Sequence, residues 1–366
     1  MKLIDHHVHG AVTRDLDFAG FESQLAEGHG VQMFDTQLGF AIRRWCAPVL
    51  DLLPFAPAED YVRRRSEIGV EEVNRRLLVG ADVDMWLVDT GFKTSELTTP
   101  EEMAAISGRP SKTIVRLDAV AEQVFRDGVT AAGFADAFGA ALAAETLAAG
   151  AVGYKSIVAY RHGFDFDPAR PTAAEVSEAA GRLLRALSAD PAARVEDPVL
   201  ERHLIWTAVD TRLPLQFHVG FGDTDLRMHR SDPSLLHDFL MATETSGISI
   251  MLLHCYPWHR VAGHLANVFP HVYMDLGAVL NHVGARSAAI LAESLELTPF
   301  RKMLYSSDAF GLPELHYLGA IGFRRDLDQV IADFVAAGLW AGADAKFVAN
   351  LIGSENAARV YGLELS

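Results

Sequence analysis

The chain is poor in cysteine, in positive charge and in long apolar runs. It has only two cysteines, Cys46 and Cys255, among 366 residues. This number excludes a disulfide framework, so a reducing cytoplasm is the expected location. The formal net charge of -16 argues against nucleic acid as a partner, because its phosphates would be repelled. The longest strongly apolar run, ISIMLLH at 248–254, is far below the ~20 residues that a membrane helix needs. No apolar core of a secretory signal follows Met1, so no membrane partner is expected.

The apolar residues that are present alternate between strand-like and helix-like patterns. Half of the chain is apolar, which is the balance of a folded protein with a sizeable core. Eight short β-like runs are separated by helical stretches: 2–9, 84–92, 113–120, 152–160, 213–220, 247–255, 271–279 and 302–310. This alternation predicts an α/β fold, a (β/α)8 TIM barrel in one domain spanning 1–366, although an open doubly wound sheet uses the same alternation.

One connection is much longer than the others. Residues 10 to 83 separate the first two β-like runs, and much of this segment has a helical pattern. We expect a helical insertion after strand 1, over 11–80, that decorates the single domain. It either packs on the barrel wall or at a subunit interface of a homo-oligomer, or it forms a partial lid over the barrel mouth.

The first β-like run carries three histidines in the sequence DHHVHG, residues 5–10. Alternate residues of a strand share a face, so Asp5, His7 and His9 are expected to point one way. His6 is expected to face the helices in a structural role. His7 and His9 then lie at the carboxyl end of the strand, where barrel active sites form, and two adjacent imidazoles suit a divalent metal ion.

Polar residues also close other apolar runs. His218 ends the fifth run, His254 the sixth and Asp308 the eighth. Their clustering with the first-strand histidines at one end of a barrel predicts a metal centre. Lys155, in the fourth run, has three interpretations: it pairs with an acid at the rim, it binds a substrate carboxylate, or its amine carries a carbamate that bridges two metals.

This array resembles the amidohydrolase superfamily. Five segments are similar to the amidohydrolase-2 group: FHVGFGDTD (217–225), LLHCYPWHR (252–260), VYMDLG (272–277), LYSSDAFGLPEL (304–315) and ENAARVYGL (355–363). More narrowly, they resemble the amidohydrolase domain of FluG/nodulin-type proteins, which can be fused to a glutamine-synthetase-like domain. The resemblance runs from residue 2 to about 363 and is weakest in the insertion. Any glutamine-synthetase-like partner of this chain would then be a separate protein.

The resemblance implies hydrolysis of a C–N bond in a small amide by metal-activated water. His7 and His9 would bind the first metal with Asp308, which would also take the proton of the water and deliver it to the leaving nitrogen. His218 or His254 would polarise the scissile carbonyl beside one metal, or bind a second metal if Lys155 is carbamylated. Zinc is the favoured ion, and iron, manganese or nickel suit the same ligands.

Six further residues are expected to bind the substrate. They lie just beyond the candidate ligands: Arg116, Tyr160, Arg161, Asp223, Arg260 and Glu314. Arginine suits a carboxylate and the acids suit an ammonium, so together they fit an amino-acid-like head such as a γ-glutamyl group. Each could instead form a structural ion pair.

Two other functions stay open at this point. A decarboxylase or an aldose isomerase would use the same metal site, and a non-catalytic partner domain of a glutamine-synthetase-like enzyme would need no activity. The complete ligand set favours catalysis.

Overall fold

A parallel sheet whose seven strands follow chain order forms the centre of the molecule. The computed structural model describes residues 1–28, 30–92 and 95–365. The strands are β1 (Ile4–Val8), β2 (Met85–Asp89), β3 (Ser111–Arg116), β4 (Gly153–Ser156), β5 (Leu215–His218), β6 (Ile250–Leu253) and β7 (Val272–Met274). Each lies within or next to a run that the periodicity predicted.

The segment after β7 closes the sheet into a barrel. Met303 forms a parallel bridge with Met274 of β7. On the other side, the backbone N–H of His6 in β1 donates to the carbonyl of Tyr305 over 3.2 Å. Residues 303–305 therefore fill the eighth strand position although they form no full ladder, and the predicted (β/α)8 barrel is confirmed.

Helices surround this barrel. They are α1 (Phe18–Ser23), α2 (Gln37–Ala41), α3 (Ala58–Ile68), α4 (Val70–Ala81), α5 (Pro100–Ser107), α6 (Leu117–Arg126), α7 (Phe134–Ala148), α8 (Val158–Arg161), α9 (Ala173–Ala189), α10 (Pro198–Thr211), α11 (His237–Thr243), α12 (His259–Val268), α13 (Val279–Val283), α14 (Ser287–Ser294), α15 (Pro313–Ala336), α16 (Gly342–Asn350) and α17 (Asn356–Tyr361). Within the described ranges, no helix has both the length and the apolar character needed to cross a bilayer.

Three predicted β-like runs end in helices. The run 113–120 becomes helical at Leu117, the run 152–160 at Val158 and the run 271–279 at its last residue, Val279. All three residues are buried. A short apolar window contains residues that a strand buries and residues that a helix buries, and periodicity alone does not separate them.

A second, smaller apolar cluster fills the barrel interior. It joins residues of most strands to the last helix, and its buried members are Ile4, Leu87, Ile114, Met251, Leu253, Tyr273, Leu304, Ala357, Ala358 and Tyr361. Full burial of one large aliphatic side chain stabilises the fold by about 1.5–3 kcal/mol. Because Ala357, Ala358 and Tyr361 belong to this cluster, helix α17 packs against the interior of the barrel. Tyr361 then lies next to the buried polar residues His6 and Gln216.

The long connection between β1 and β2 contains the helices α1 to α4. It is attached to α15, the helix that follows Asp308, by a buried ion pair. The guanidinium Nε of Arg65 in α3 lies 2.9 Å from the carboxylate of Glu314, and neither side chain is more than 1% exposed. This ion pair therefore fixes the insertion to the first turn of α15, next to the carboxyl ends of the strands.

Candidate metal centre

Three candidate ligands meet at the carboxyl end of the barrel. The Nε2 atom of His7 lies 3.2 Å from a carboxylate oxygen of Asp308, and Nε2 of His9 lies 3.7 Å from the same oxygen. One ligand atom from each of these residues fits within 4.8 Å of the other two. The structure brings together two imidazoles and a carboxylate that the sequence separates by about 300 residues.

The ring orientations of both histidines leave the ligating nitrogens free of protons. His9 Nδ1 lies 3.3 Å from the carbonyl oxygen of Asp89, which can only accept, so Nδ1 carries the proton. His7 Nδ1 lies 2.8 Å from Oε1 of Gln216. Burial lowers the pKa of both imidazoles, so they are neutral near pH 7. A neutral imidazole whose remote nitrogen is hydrogen-bonded is the usual form of a metal-binding histidine.

A further histidine, which directly follows β6, lies beside these ligands. His254 Nδ1 lies 3.2 Å from the second oxygen of Asp308. Both ring nitrogens of His254 are buried and lack a hydrogen-bond partner within the described ranges. Buried polar atoms without a partner are costly, so this ring is suited to a ligand that the protein itself does not supply.

Backbone strain marks two of these positions. His254 and Asp308 have positive φ values of 58° and 47°, a conformation that side-chain-bearing residues seldom adopt. The backbone N–H of His254 donates to the carboxylate of Asp275 over 2.8 Å, and that of Asp308 donates to the carbonyl of His7 over 3.1 Å. Gly277 allows the close packing, because a methyl group there would lie 2.5 Å from His254 Nδ1. Strain of this kind is typical of functional sites.

His218 and Lys155 lie beside these ligands. The His218 ring is 4.7 Å from the His254 ring between centroids, and its Nε2 donates to the carbonyl of Phe221 over 2.9 Å. Its other nitrogen, Nδ1, therefore has the lone pair. Lys155 Nζ is 3.3 Å from His7 Nε2. The structure thus collects all six predicted metal-site residues in one place.

Burial shifts the two titratable groups that matter most. It raises the pKa of Asp308 to about 6 and lowers the pKa of Lys155 to about 8. At neutral pH Asp308 is mainly ionised, and Lys155 has a larger neutral fraction than a lysine in water. Two neutral imidazoles and a carboxylate form a donor set that fits zinc, and it also suits iron, manganese or nickel.

A cavity of about 640 Å³ opens above the candidate ligands. Four of the six predicted substrate-binding residues line it: Arg116, Tyr160, Arg161 and Asp223. The Tyr160 ring is 4.4 Å from the His218 ring. Arg116 is held by the carboxylate of Asp89 at 2.6 Å. Arg161 is 9% exposed and lies 3.9 Å from Glu122, and its Nε has no partner within the described chain.

The other two predicted substrate-binding residues lie elsewhere, which corrects the expectation from the sequence. Arg260 is on the exposed start of α12, where its guanidinium binds Glu296 at 3.0 Å. Glu314 is fully buried, accepts from the hydroxyl of Tyr61 at 2.9 Å and pairs with Arg65. Arg260 therefore belongs to a surface ion pair, and Glu314 attaches the insertion to α15.

The assignment of faces on β1 also needs correction. The pairing of β1 with β2 shifts register between Asp5 and Val8, so simple alternation fails there. Asp5 accepts the backbone N–H of Ser307 at 3.0 Å. His6 contacts Tyr361 of the interior cluster and lies 2.7 Å from Asp275, directly after β7, so it lies in the barrel interior and does not face the surrounding helices as expected.

Several polar residues of the site were missed at the level of sequence. Asp89 and Asp275 each close an apolar strand, and Gln216 shares a strand face with His218 two residues later. The pattern that marks the histidines, a polar residue at the end of an apolar strand or on the same strand face, also marks these three residues. Glu27 of the insertion and His282 of α13 also line the cavity. No local sequence pattern predicts that either residue belongs to the site.

The match to a family model agrees with the fold and the site. The model described as Amidohydrolase matches residues 97–363, which is most of the chain. The chain belongs to the amidohydrolase family. A curated relative, Protein fluG of Emericella nidulans, is 29% identical over 99% of this chain. The chain spans only 46% of the length of that relative.

Solved structures with the same fold include one of similar size. A proposed metal-dependent hydrolase from Lactobacillus casei ATCC 334 aligns with a TM-score of 0.84 and 28% identity, over 99% of this chain and 95% of its own. A glucuronate isomerase from Caulobacter crescentus aligns with a TM-score of 0.66 and 14% identity, over 100% of this chain and 92% of its own. At that identity the second match supports the fold alone.

Proposed function

We propose that this protein is a metal-dependent amidohydrolase that cleaves the C–N bond of a small amide with an amino-acid-like head, such as a γ-glutamyl amide. The observation that carries the proposal is the set of His7, His9 and Asp308 donor atoms within 4.8 Å of one another. The set lies beside a cavity lined by both arginines and carboxylates. Family membership and the Lactobacillus casei relative support the same chemistry.

These three residues would hold the metal. A bound divalent ion supplies a water molecule of lowered pKa at neutral pH and polarises a carbonyl. Zinc is the ion we favour, with iron, manganese and nickel as alternatives. In the two-ion form of the proposal, His218 and His254 would hold the second ion, and a carbamylated Lys155 would supply a further anionic ligand. In the one-ion form, Lys155 binds a substrate carboxylate.

Asp308 acts as the proton carrier in this proposal. Its carboxylate lies 3.2 Å from His7 and from His254 and 3.7 Å from His9, so it would border both the ion and the attacking water. It takes the proton of the attacking water and delivers it to the leaving nitrogen. His254, neutral because burial lowers its pKa, has both ring nitrogens without a protein hydrogen-bond partner and would donate a hydrogen bond to the scissile carbonyl. His218 donates its Nε2–H to Phe221, so it would act through the lone pair on Nδ1.

The substrate head is bound on the cavity walls. Arg161 lines the cavity and would bind a substrate carboxylate through its guanidinium. Asp223, which lines the same cavity, accepts from an ammonium. Arg116 donates to Asp89 through both Nε and Nη2, which leaves Nη1 for the substrate. Charges of both signs around one cavity favour a zwitterionic head over a simple acid or a simple amine.

A substrate screen tests the proposal. The metal-loaded protein is assayed against γ-glutamyl amides and other small amides, with release of the amine as the readout. Turnover of an amide with a free α-amino and α-carboxyl group is the expected result. Release of carbon dioxide from an unsaturated acid, or interconversion of a uronate, would replace amide hydrolysis by one of the alternative chemistries. No turnover in any class would favour a non-catalytic partner domain.

A further inference from the structure

A chain of hydrogen bonds connects the last helix to the candidate metal ligands. Gln216 of β5 lies at its centre. Its Oε1 faces His7 Nδ1 at 2.8 Å, and its Nε2 lies 2.8 Å from both the carbonyl oxygen of His6 and the hydroxyl of Tyr361. All of these residues are buried, and Gln216, His6 and His7 are no more than 1% exposed.

The directions of these hydrogen bonds follow from the atoms involved. A carbonyl oxygen only accepts, so the group that faces the His6 carbonyl must be the Gln216 NH2 group. The Gln216 oxygen therefore faces His7, and His7 Nδ1 must be the protonated nitrogen. His7 Nε2 then has the lone pair, which accepts from Lys155 Nζ at 3.3 Å and lies 3.2 Å from Asp308.

The same chain continues to a second ligand. The Asp275 carboxylate accepts from His6 Nε2 over 2.7 Å, so Nε2 carries a proton. The other ring nitrogen, Nδ1, faces the Tyr361 hydroxyl at 3.0 Å, and that hydroxyl has its proton left to donate because it accepts from Gln216. The other oxygen of Asp275 accepts the backbone N–H of His254, the residue held at φ 58°.

We infer that Gln216 and Tyr361 are positioning residues that fix the proton of His7 on Nδ1 and so make the metal site competent to bind its ion. If the Gln216 amide turned over, its NH2 group would face His7 Nδ1, which would move the proton to Nε2 and block the ligand. The His6 carbonyl and the Tyr361 hydroxyl both oppose this rotation. The inference rests on the proposed metal centre and extends it to the helix α17.

Zinc affinity tests this inference without any substrate. The full-length chain is titrated with Zn²⁺ in competition with a chromogenic chelator, and the Co²⁺ absorption spectrum is recorded in parallel. Loss of a partner that orients a metal-binding histidine weakens the metal by about 10- to 100-fold. We expect Tyr361→Phe near about tenfold and Gln216→Leu near about 100-fold, with altered Co²⁺ spectra.

Two further variants separate positioning from structure. Tyr273→Phe removes a hydroxyl from the same interior cluster, where it contacts only Arg359 among the hydrogen bonds described, and it should leave zinc affinity unchanged. Gln216→Glu keeps an acceptor for His7 Nδ1 and should bind zinc more tightly than Gln216→Leu does.

The possible outcomes are distinct. Wild-type affinity in both Tyr361→Phe and Gln216→Leu would refute the positioning role, even if their unfolding midpoints fall. Equal losses in Tyr361→Phe and Tyr273→Phe would also refute it, because packing would then be the cause. A wild-type chain that takes up no zinc, cobalt or other divalent ion would refute the proposed function and this inference together.

Discussion

Replacement of Asp308 by asparagine should abolish turnover and leave the fold intact. The side chain lies 3.2 Å from His7 and His254 and 3.7 Å from His9, so it is the acidic group at the centre of the candidate metal site. Asparagine has nearly the same shape but cannot take up a proton at neutral pH. Loss of a positioned general base costs roughly 10²- to 10⁴-fold in rate.

The backbone at this position tolerates the change. Asp308 has φ 47°, a region in which asparagine is accepted nearly as well as aspartate. Its backbone hydrogen bond to His7 is unaffected. The melting temperature should therefore stay within about 3 °C of the wild-type value.

A matched control separates catalysis from backbone effects. Asp82→Asn makes the same substitution at φ 49° on the surface, where the side chain is 70% exposed and pairs with Arg109. The assay is kcat on the substrate found in the screen, with metal content measured for each variant. An Asp308→Asn protein that keeps its metal and turns over within about tenfold of the wild type would refute the assignment of Asp308 as base.

Four other predictions follow from the structure. Arg161→Met should raise KM by roughly tenfold or more for a substrate with a carboxylate and change kcat less, which steady-state kinetics will show. Arg260→Ala should leave kcat and KM unchanged, because its ion pair is on the surface. Glu314→Gln should lower the free energy of unfolding by about 3 kcal/mol in urea titrations, since it leaves Arg65 buried without its counter-charge. Burial lowers the pKa of His271 from 6.5 to about 4, so only the unfolded chain gains this proton as the pH falls through that window. The unfolding free energy of wild type relative to His271→Gln should therefore fall by about 2 kcal/mol between about pH 7 and pH 4.5, and a pH-independent difference would contradict this.

The barrel and its ligands could be predicted from the sequence because a polar residue lies at the end of each apolar strand or directly after it. His218, His254 and Asp308 stand out for this reason, and the carboxyl ends of parallel strands meet at one end of a barrel. The same rule, applied to Asp89 and Asp275, would have found more of the site. Strand positions were therefore predictable from local composition.

Contacts between distant segments were not predictable in the same way. Glu314 follows Asp308 closely and looks like a site residue, but the first turn of α15 directs it to Arg65, which is 249 residues away. The register shift in β1 depends on the pairing with β2, so the face of His6 could not be read from alternation. Glu27 reaches the cavity through the packing of the whole insertion.

The most direct test of the account is the metal content of the purified protein. Elemental analysis of the full-length chain is compared with that of a His7→Ala, His9→Ala double variant prepared in the same way. The account predicts at least one divalent ion per wild-type chain and almost none in the double variant, with the fold retained by circular dichroism. A wild-type protein that binds no divalent ion, or a double variant that keeps the full complement, would contradict the metal centre formed by His7, His9 and Asp308.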